Sequence, residues 1–292
     1  MALAERNDGV VINADSAQVY RDLRVVTARP TAEDEARVPH RLFGHVDAAD
    51  TGYNAARWAA EARAAIAATH AAGRLPILVG GTGLYLRTLF DGIAPVPPID
   101  AAIRAAVRAM PVTQAYEELT RLDPPGAALL HANDTTRVAR ALEVVRSTGR
   151  PIAAWRERQS LAPAEAGGGI GDVVRLVAIV LLPPRDWLAE RIDRRSHDIV
   201  RDGAGEIAAL LVRPDLPADA SILRAIGVPE MRCLVRGEID AAETARNLSL
   251  TTRRYAKRQY TWFRNQPPRD WHRIADTDAT DLTSDIETLL RE

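Results

Sequence analysis

Asp15 and Ser16 follow a short apolar run, residues 10–14, that reads as a buried strand. In an open α/β sheet, ligands bind beyond the carboxyl ends of the strands, so a carboxylate placed there can act as a general base or hold a metal. The competing reading is local: Asp15 caps the next turn and Ser16 bonds to the backbone. The residues alone leave both open.

A second candidate is GGTG (80–83), which follows the apolar run LPILV. Glycines let the backbone approach a ligand, and a helix that starts there points N–H groups at the gap, which suits phosphate. Strand-to-helix turns also use glycine for steric reasons alone. The segment is not a P-loop, which requires Gly-Lys followed by Ser or Thr. The chain has one lysine, Lys257, and it follows Ala256.

RDWLAERIDRRSHDIV (185–200) reads as a helix. Arg191 and Arg195 lie four apart and share a face, where two guanidinium forks suit a diphosphate. A solvated face with Glu190, Asp193 and Asp198 as ion-pair partners is the alternative. TTRRYAKRQYTWFR (251–264) mixes basic and aromatic residues on one helix. Between Thr244 and Arg269 there are seven basic residues and no carboxylate. Arg254, Lys257 and Arg258 suit phosphates, and Gln259 suits a base edge. Tyr255, Trp262 and Phe263 either stack on bases or pack on the core. This charge pattern points to RNA. DTTRVAR (134–140) repeats it on a smaller scale, with Arg137 and Arg140 in the first turns of a capped helix. His40, His45, His131 and His197 show no ligand spacing and are read as structural.

These residues need a frame. The 292 residues suffice for about two domains, with 47% hydrophobic and 26% charged residues as in ordinary globular proteins. The net charge of −1 creates no global attraction to nucleic acid, so any RNA contact must be a local patch. The longest apolar run, 173–184, carries Arg175 and ends in two prolines; it reads as a buried strand, too short to span a bilayer. Cys233 is the only cysteine, which excludes an internal disulfide and a cysteine zinc site. The N-terminus has no secretory pattern. The cytoplasm and a monomer are the expected compartment and state.

Strand 10–14, helix 55–72 and strand 75–81 form a βαβ pattern, hence a parallel sheet with helices on its faces. From residue 99 to 170 the periodicity is helical only, and 173–182 returns to a strand pattern. The expected fold is α/β: a core of 1–98 and 171–292 interrupted by an all-helical domain of 99–170. Helices are expected at 185–202, 204–212, 221–235 and 241–265.

INADSAQVYRDLRVVTARPT, PHRLFGHVD, LPILVGGTGLYLRTLFDGIAPVPP, HANDTTRVARALEVVRSTGRP, RAIG and RRYAKRQYTWFR occur in that order. Together they closely resemble the tRNA dimethylallyltransferase family, nearly end to end. The resemblance implies a P-loop nucleotide-kinase-like sheet with a helical insertion that grips the anticodon arm. It implies transfer of a dimethylallyl group from dimethylallyl diphosphate to N6 of the adenosine 3′ of the anticodon, with Mg²⁺. It implies Asp15 as general base. It places tRNA contacts at Asp15, Ser16, Ala17 and Gln18, at Thr82 and Arg104, and at Thr136, Arg137, Val138, Ala139 and Arg140. Further contacts fall on Arg224, Ala225, Ile226, Gly227, Val228 and Pro229. The last set is Lys257, Arg258, Gln259, Tyr260, Thr261, Trp262, Phe263 and Arg264. Arg191 and Arg195 match the family's RI-x-x-R helix and are expected near the diphosphate.

Two departures stand out. Family members begin with a strand, a GPTASGKS-type P-loop and a helix. MALAER resembles only the end of that helix, so the first strand, the P-loop and its Ser/Thr metal ligand are expected to be missing. Either the recorded start lies downstream of the true one, which the intact remaining blocks favour, or the chain binds the donor poorly and acts as a non-catalytic tRNA-binding protein. VPE (228–230) also stands where many relatives have an aromatic and a basic residue, which puts one tRNA contact in doubt.

Overall fold

The computed structural model describes residues 1–159, 168–171, 173–275 and 279–291. In chain order the elements are α1 (Ala2–Arg6), β1 (Gly9–Asn13), α2 (Ala32–Arg37), β2 (His40–Arg41), α3 (Ala55–Ala71), β3 (Leu75–Val79), α4 (Gly83–Phe90), α5 (Ala101–Ala109), α6 (Val112–Leu122) and α7 (Pro124–Ala128). They continue with α8 (Thr135–Thr148), α9 (Ile152–Gln159), β4 (Ile179–Leu181), α10 (Arg185–Asp202), α11 (Ala204–Leu211), α12 (Val228–Val235), α13 (Ala241–Asn265), β5 (His272–Ile274) and α14 (Ala279–Arg291). The chain divides into two compact units, Met1–Arg87 with Val174–Glu292, and Thr88–Val173.

In the first unit β1 is the centre of a three-stranded parallel sheet in the order β2–β1–β3. All five of its residues, GVVIN, are buried, as a run of β-branched residues flanked by strands on both sides requires. Val11 is in register with His40 and Ile77, which aligns the carboxyl ends of the three strands. The crossover helix α3 starts where the Asn54 side chain accepts from the N–H groups of Ala56 and Arg57. It ends where Gly73, at φ +69°, turns back and donates to the His70 carbonyl. The buried stripe of α3, Trp58, Ala59, Ala62 and Ile66, follows helical spacing.

The second unit is helical. Its core joins Val107 of α5, Leu119 of α6, Ala127 of α7 and Val138, Leu142 and Val145 of α8. It is wider than the 99–170 segment read from the sequence.

Two elements differ from the sequence reading. The strand expected over 173–182 shrinks to β4, and its partner is β5 in a separate two-stranded parallel sheet. Val173 and Leu176 stay exposed, so the front of this apolar run is not packed as strand. The helix expected over 221–235 breaks into a 3-10 turn, Ser221–Arg224, and α12. Gly227 at φ +99° separates them, and Pro229 suits the first turn of the new helix because no N–H is needed there. Among the described residues no helix is long and apolar enough to cross a membrane.

Candidate functional site

Asp15 stands just past the carboxyl end of β1, in a turn held by Asn13. The fully buried Asn13 amide donates to the Asp15 and Leu42 carbonyls (2.9 and 3.0 Å), and its oxygen accepts the Asp15 N–H (2.8 Å). The Asn13 carbonyl in turn accepts from the Trp58 indole (2.9 Å), and Trp58 stacks on Tyr85 with centroids 4.4 Å apart. Helix α3 therefore props the turn that carries the carboxylate. Asp15 Oδ1 accepts the Ala17 N–H (2.8 Å), the capping role, and the residue is half-buried.

The strand β3 delivers Thr82 beside this turn. The Thr82 hydroxyl accepts the Ser16 N–H (2.9 Å) and lies 3.2 Å from the Ser16 hydroxyl, while the Thr82 N–H donates to the Ala14 carbonyl (3.2 Å). Close packing accounts for the glycines around it. A Cβ on Gly80 would lie 2.2 Å from Ala14 C, one on Gly81 2.1 Å from Gln259 Nε2, and one on Gly83 2.5 Å from Trp262 Cε2. The GGTG segment thus forms the seat of α13, the steric reading of those glycines.

Helix α13 lies on that seat and packs along α10. Gln259 donates to the Gly81 carbonyl (2.9 Å), which commits its amide to the protein. Tyr255 sits close to Thr82, Gln259 and Asp15; burial, followed by the charge of Asp15, raises its pKa and keeps it protonated. Trp262 meets Phe263 edge to face at 4.8 Å. Lys257, Arg258, Thr261 and Arg264 form the exposed side of the same helix, with the Arg258 guanidinium 5.6 Å from the Tyr255 ring. On α10, Asp193 accepts from Ser249 and pairs with Arg253, and Asp198 pairs with Arg201 at 2.9 Å. Two of the carboxylates the sequence offered as partners of Arg191 and Arg195 are therefore engaged elsewhere. Arg191 lies 5.3 Å over Trp187, and Arg185 5.3 Å over Tyr260. Arg195 is crowded enough for burial to lower its pKa, while the Asp15 carboxylate pulls the other way. Much of its surface is still open, and a guanidinium stays charged in such a place.

Asp15, Ser16, Thr82, Arg195, Tyr255 and Gln259 thus share one corner of the first unit. Ser16 and Ala17 also border a cleft of about 290 Å³ with Tyr20, Tyr53, Tyr85 and Arg224. Gln18 faces inward: its amide donates to the carbonyls of Thr27 and Ala28 (3.0 and 3.2 Å) and ties the loop after β1. Glu206 holds the same loop from α11, accepting the N–H groups of Arg24, Val25 and Val26 (2.8, 2.8 and 3.1 Å). Ala225 and Ile226 are half-buried and Pro229 is exposed. Gly227 is buried and its left-handed φ makes it a hinge in the backbone. Val228 has no exposed surface, so its side chain serves the core and offers a ligand nothing.

In the second unit Arg104, Thr136, Arg137 and Arg140 are exposed, Arg104 on α5 and the others on α8. Asp134 caps α8 by accepting the Arg137 N–H (3.0 Å). Buried Glu143 draws Arg108 (3.1 Å) and Arg140 (3.7 Å). Ala139 is half-buried, and Val138 is fully buried in the helical core, so its side chain too is removed from the list of contacts. Sequence reading missed Asn13, Trp58 and Glu206 as supports, and no motif marked them. Tyr255 was named there as a residue that either stacks on bases or packs on the core.

Comparisons with known proteins give the family of the chain. Residues 18–266 match the model of the IPP transferase family. A tRNA dimethylallyltransferase of Sphingopyxis alaskensis is 52% identical over all of this chain and 93% of its own length. One of Novosphingobium aromaticivorans is 51% identical over 97% of this chain and 98% of its own. Among solved structures, the full-length tRNA isopentenylpyrophosphate transferase of Bacillus halodurans superposes with a TM-score of 0.66 at 33% identity, over 99% of this chain and 89% of that one. A eukaryotic dimethylallyltransferase acting on tRNA gives 0.78 at 25% identity, over 98% and 73%. The chain belongs to the IPP transferase family. It is an enzyme of the transferase class.

Proposed function

We propose that the chain transfers a dimethylallyl group from dimethylallyl diphosphate to the exocyclic N6 of the adenosine 3′ of the anticodon in a tRNA anticodon stem-loop, acting as a cytoplasmic monomer. The observation that carries this reading is the half-buried carboxylate of Asp15, whose charge reaches Arg195 of α10 and Tyr255 of α13, beside the stretch 244–265 of that helix, which carries basic residues and no carboxylate.

In this reading N6 attacks C1 of the dimethylallyl group, the C1–O bond breaks, and the diphosphate leaves with the bonding electrons. Asp15 takes the N6 proton, which an unactivated adenine amine does not surrender readily. Arg191 and Arg195 receive the leaving diphosphate through bidentate forks. The exposed side of α13, with Lys257, Arg258, Thr261 and Arg264, follows the RNA backbone, and Ser16, Thr82 and Arg224 border the entering base. Arg104, Thr136, Arg137 and Arg140 hold the anticodon arm. The target base leaves its stack to reach Asp15, which costs less in a loop than in a duplex. Mg²⁺ belongs to the same proposal as an ion that arrives with the diphosphate. Among the described residues no set of three or more His, Cys, Asp or Glu side chains could hold a metal ion.

The test is a transfer assay with dimethylallyl diphosphate, Mg²⁺ and an anticodon stem-loop, alongside an Asp15→Asn variant. Asparagine keeps the oxygen that accepts the Ala17 N–H, so the turn survives. The expected result is a loss of transfer of about 10²-fold or more with stem-loop binding retained. Wild-type binding without transfer would replace the enzyme by a tRNA-binding protein.

A further inference from the structure

Tyr53 forms one wall of the cleft beside Ser16, and it is tied down far more firmly than a wall of the core needs. Its hydroxyl donates to Glu61 Oε2 at 2.7 Å. His45 Nε2 lies 2.9 Å from the same carboxylate oxygen and 3.1 Å from the phenol oxygen, so its N–H is shared between them. The imidazole meets the phenol ring edge to face at 5.5 Å, and the Arg57 guanidinium sits 5.0 Å from the ring centroid. Arg57 is itself held by Asp50 (2.6 Å) and by the other oxygen of Glu61 (3.2 Å).

The geometry points to Glu61, with His45, as a positioning device that fixes the Tyr53 ring and so shapes the RNA side of the active cleft. The inference rests on the proposed function and deepens it. Apolar residues at 45 and 61 would fill the same space without polar groups to satisfy. The chain instead keeps a half-buried carboxylate there and, among the described residues, leaves His45 Nδ1 buried without a partner. Such an arrangement costs desolvation and returns one thing, a defined rotation and depth of the phenol. The cleft explains why that matters. Tyr20, Ser221 and Arg224 line it too, and Tyr85, also in its lining, is fixed by stacking on Trp58. Helix α10 with Arg191 and Arg195 contributes nothing to it. A displaced Tyr53 therefore disturbs the RNA and leaves the diphosphate alone.

The experiment measures the Kd of a fluorescent anticodon stem-loop, and KM for both substrates, in the wild type and in Tyr53→Phe, Glu61→Leu and Glu61→Gln. Tyr53→Phe and Glu61→Leu are expected to weaken stem-loop Kd and KM about tenfold, the worth of one hydrogen bond to a charged group. KM for dimethylallyl diphosphate stays within about twofold, and Glu61→Gln, which still accepts the phenol proton, stays near the wild type. Unchanged stem-loop affinity in Tyr53→Phe overturns the inference. So does a matching rise in KM for the diphosphate, the mark of general loosening. Should Glu61→Leu fail to fold, Tyr53→Phe decides. The wild-type arm judges the proposed function separately: binding without transfer defeats that reading, while the variants' Kd values still score the role of Glu61.

Discussion

Gly83 and Trp262 are in contact across 179 residues of chain, and the glycine's missing side chain is what allows it: a Cβ on Gly83 would lie 2.5 Å from Trp262 Cε2, 2.7 Å from Cδ2 and 2.8 Å from Cζ2. The first residue of α4 and the end of the basic helix α13 thereby fix each other.

Gly83→Ala forces the indole or the whole helix to move. Overpacking of this kind costs about 1–3 kcal/mol. Gly73→Ala introduces strain at a left-handed residue but meets nothing within 4 Å, so it leaves α13 where it is. The expected outcome is that both variants lose stability in urea, while only Gly83→Ala also loses affinity for the stem-loop. Equal loss of affinity in both would show that the contact does not position α13.

Arg195 on α10 lies within the electrostatic reach of the Asp15 carboxylate. If it receives the diphosphate, Arg195→Ala raises KM for dimethylallyl diphosphate by roughly 10- to 100-fold, the range of one or two charge-assisted hydrogen bonds. Arg195→Lys recovers only part, because an ammonium cannot reproduce the bidentate fork. Steady-state kinetics with the donor varied at saturating stem-loop check this. A KM unchanged in both variants would remove Arg195 from the diphosphate site.

Glu206 closes the loop after β1 from a distance of about 180 residues in sequence, with three backbone N–H groups on one carboxylate. Glu206→Ala leaves those donors without their acceptor and is expected to cost roughly 1.5–3 kcal/mol. Transfer should fall with it, since the same loop carries Asp15 to Gln18. Denaturation in urea read beside the transfer rate tests this, and a variant as stable as the wild type would contradict it.

The Glu61 carboxyl also sets a pH dependence. Burial pushes its pKa up, but hydrogen bonds from Tyr53 and His45 outweigh this and hold it below the ordinary value. A carboxyl depressed by folding binds its proton more weakly in the folded state. Its stabilisation is therefore fully present above the unfolded value of about 4.3 and is lost as pH falls through the folded one. Wild-type stability is expected to fall more steeply than that of Glu61→Gln in acid below about pH 4.3. Parallel urea midpoints for the two proteins across that window would refute it.

The elements were largely legible in the residues because their signals are local. The alanine-rich helix of 55–72, the buried run at 10–14 and the basic helix of 241–265 each announce themselves by composition, periodicity and caps. Asp15 was legible too, since a polar residue at the end of an apolar strand has few places to go. The break at Gly227 was readable in principle from Gly and Pro two residues apart, but helical periodicity on both sides masked it.

What composition and spacing could not reveal were the partners. Gln259 read as an amide suited to a base edge, and the resemblance placed a tRNA contact at Gln18; the Gln18 amide donates to two of the protein's own carbonyls and that of Gln259 to one. Val138 and Val228 lie inside segments that match tRNA contacts, yet both are wholly buried. His45 showed no ligand spacing, and its role emerges only because Tyr53 and Glu61 meet it in space. The chain by itself determined the order of strands and helices and which end of β1 carries the carboxylate, since those follow from interactions between near neighbours. Only the tertiary structure decided which polar groups remain open to a substrate, because that depends on contacts between residues far apart in sequence, and those contacts form only when the chain packs.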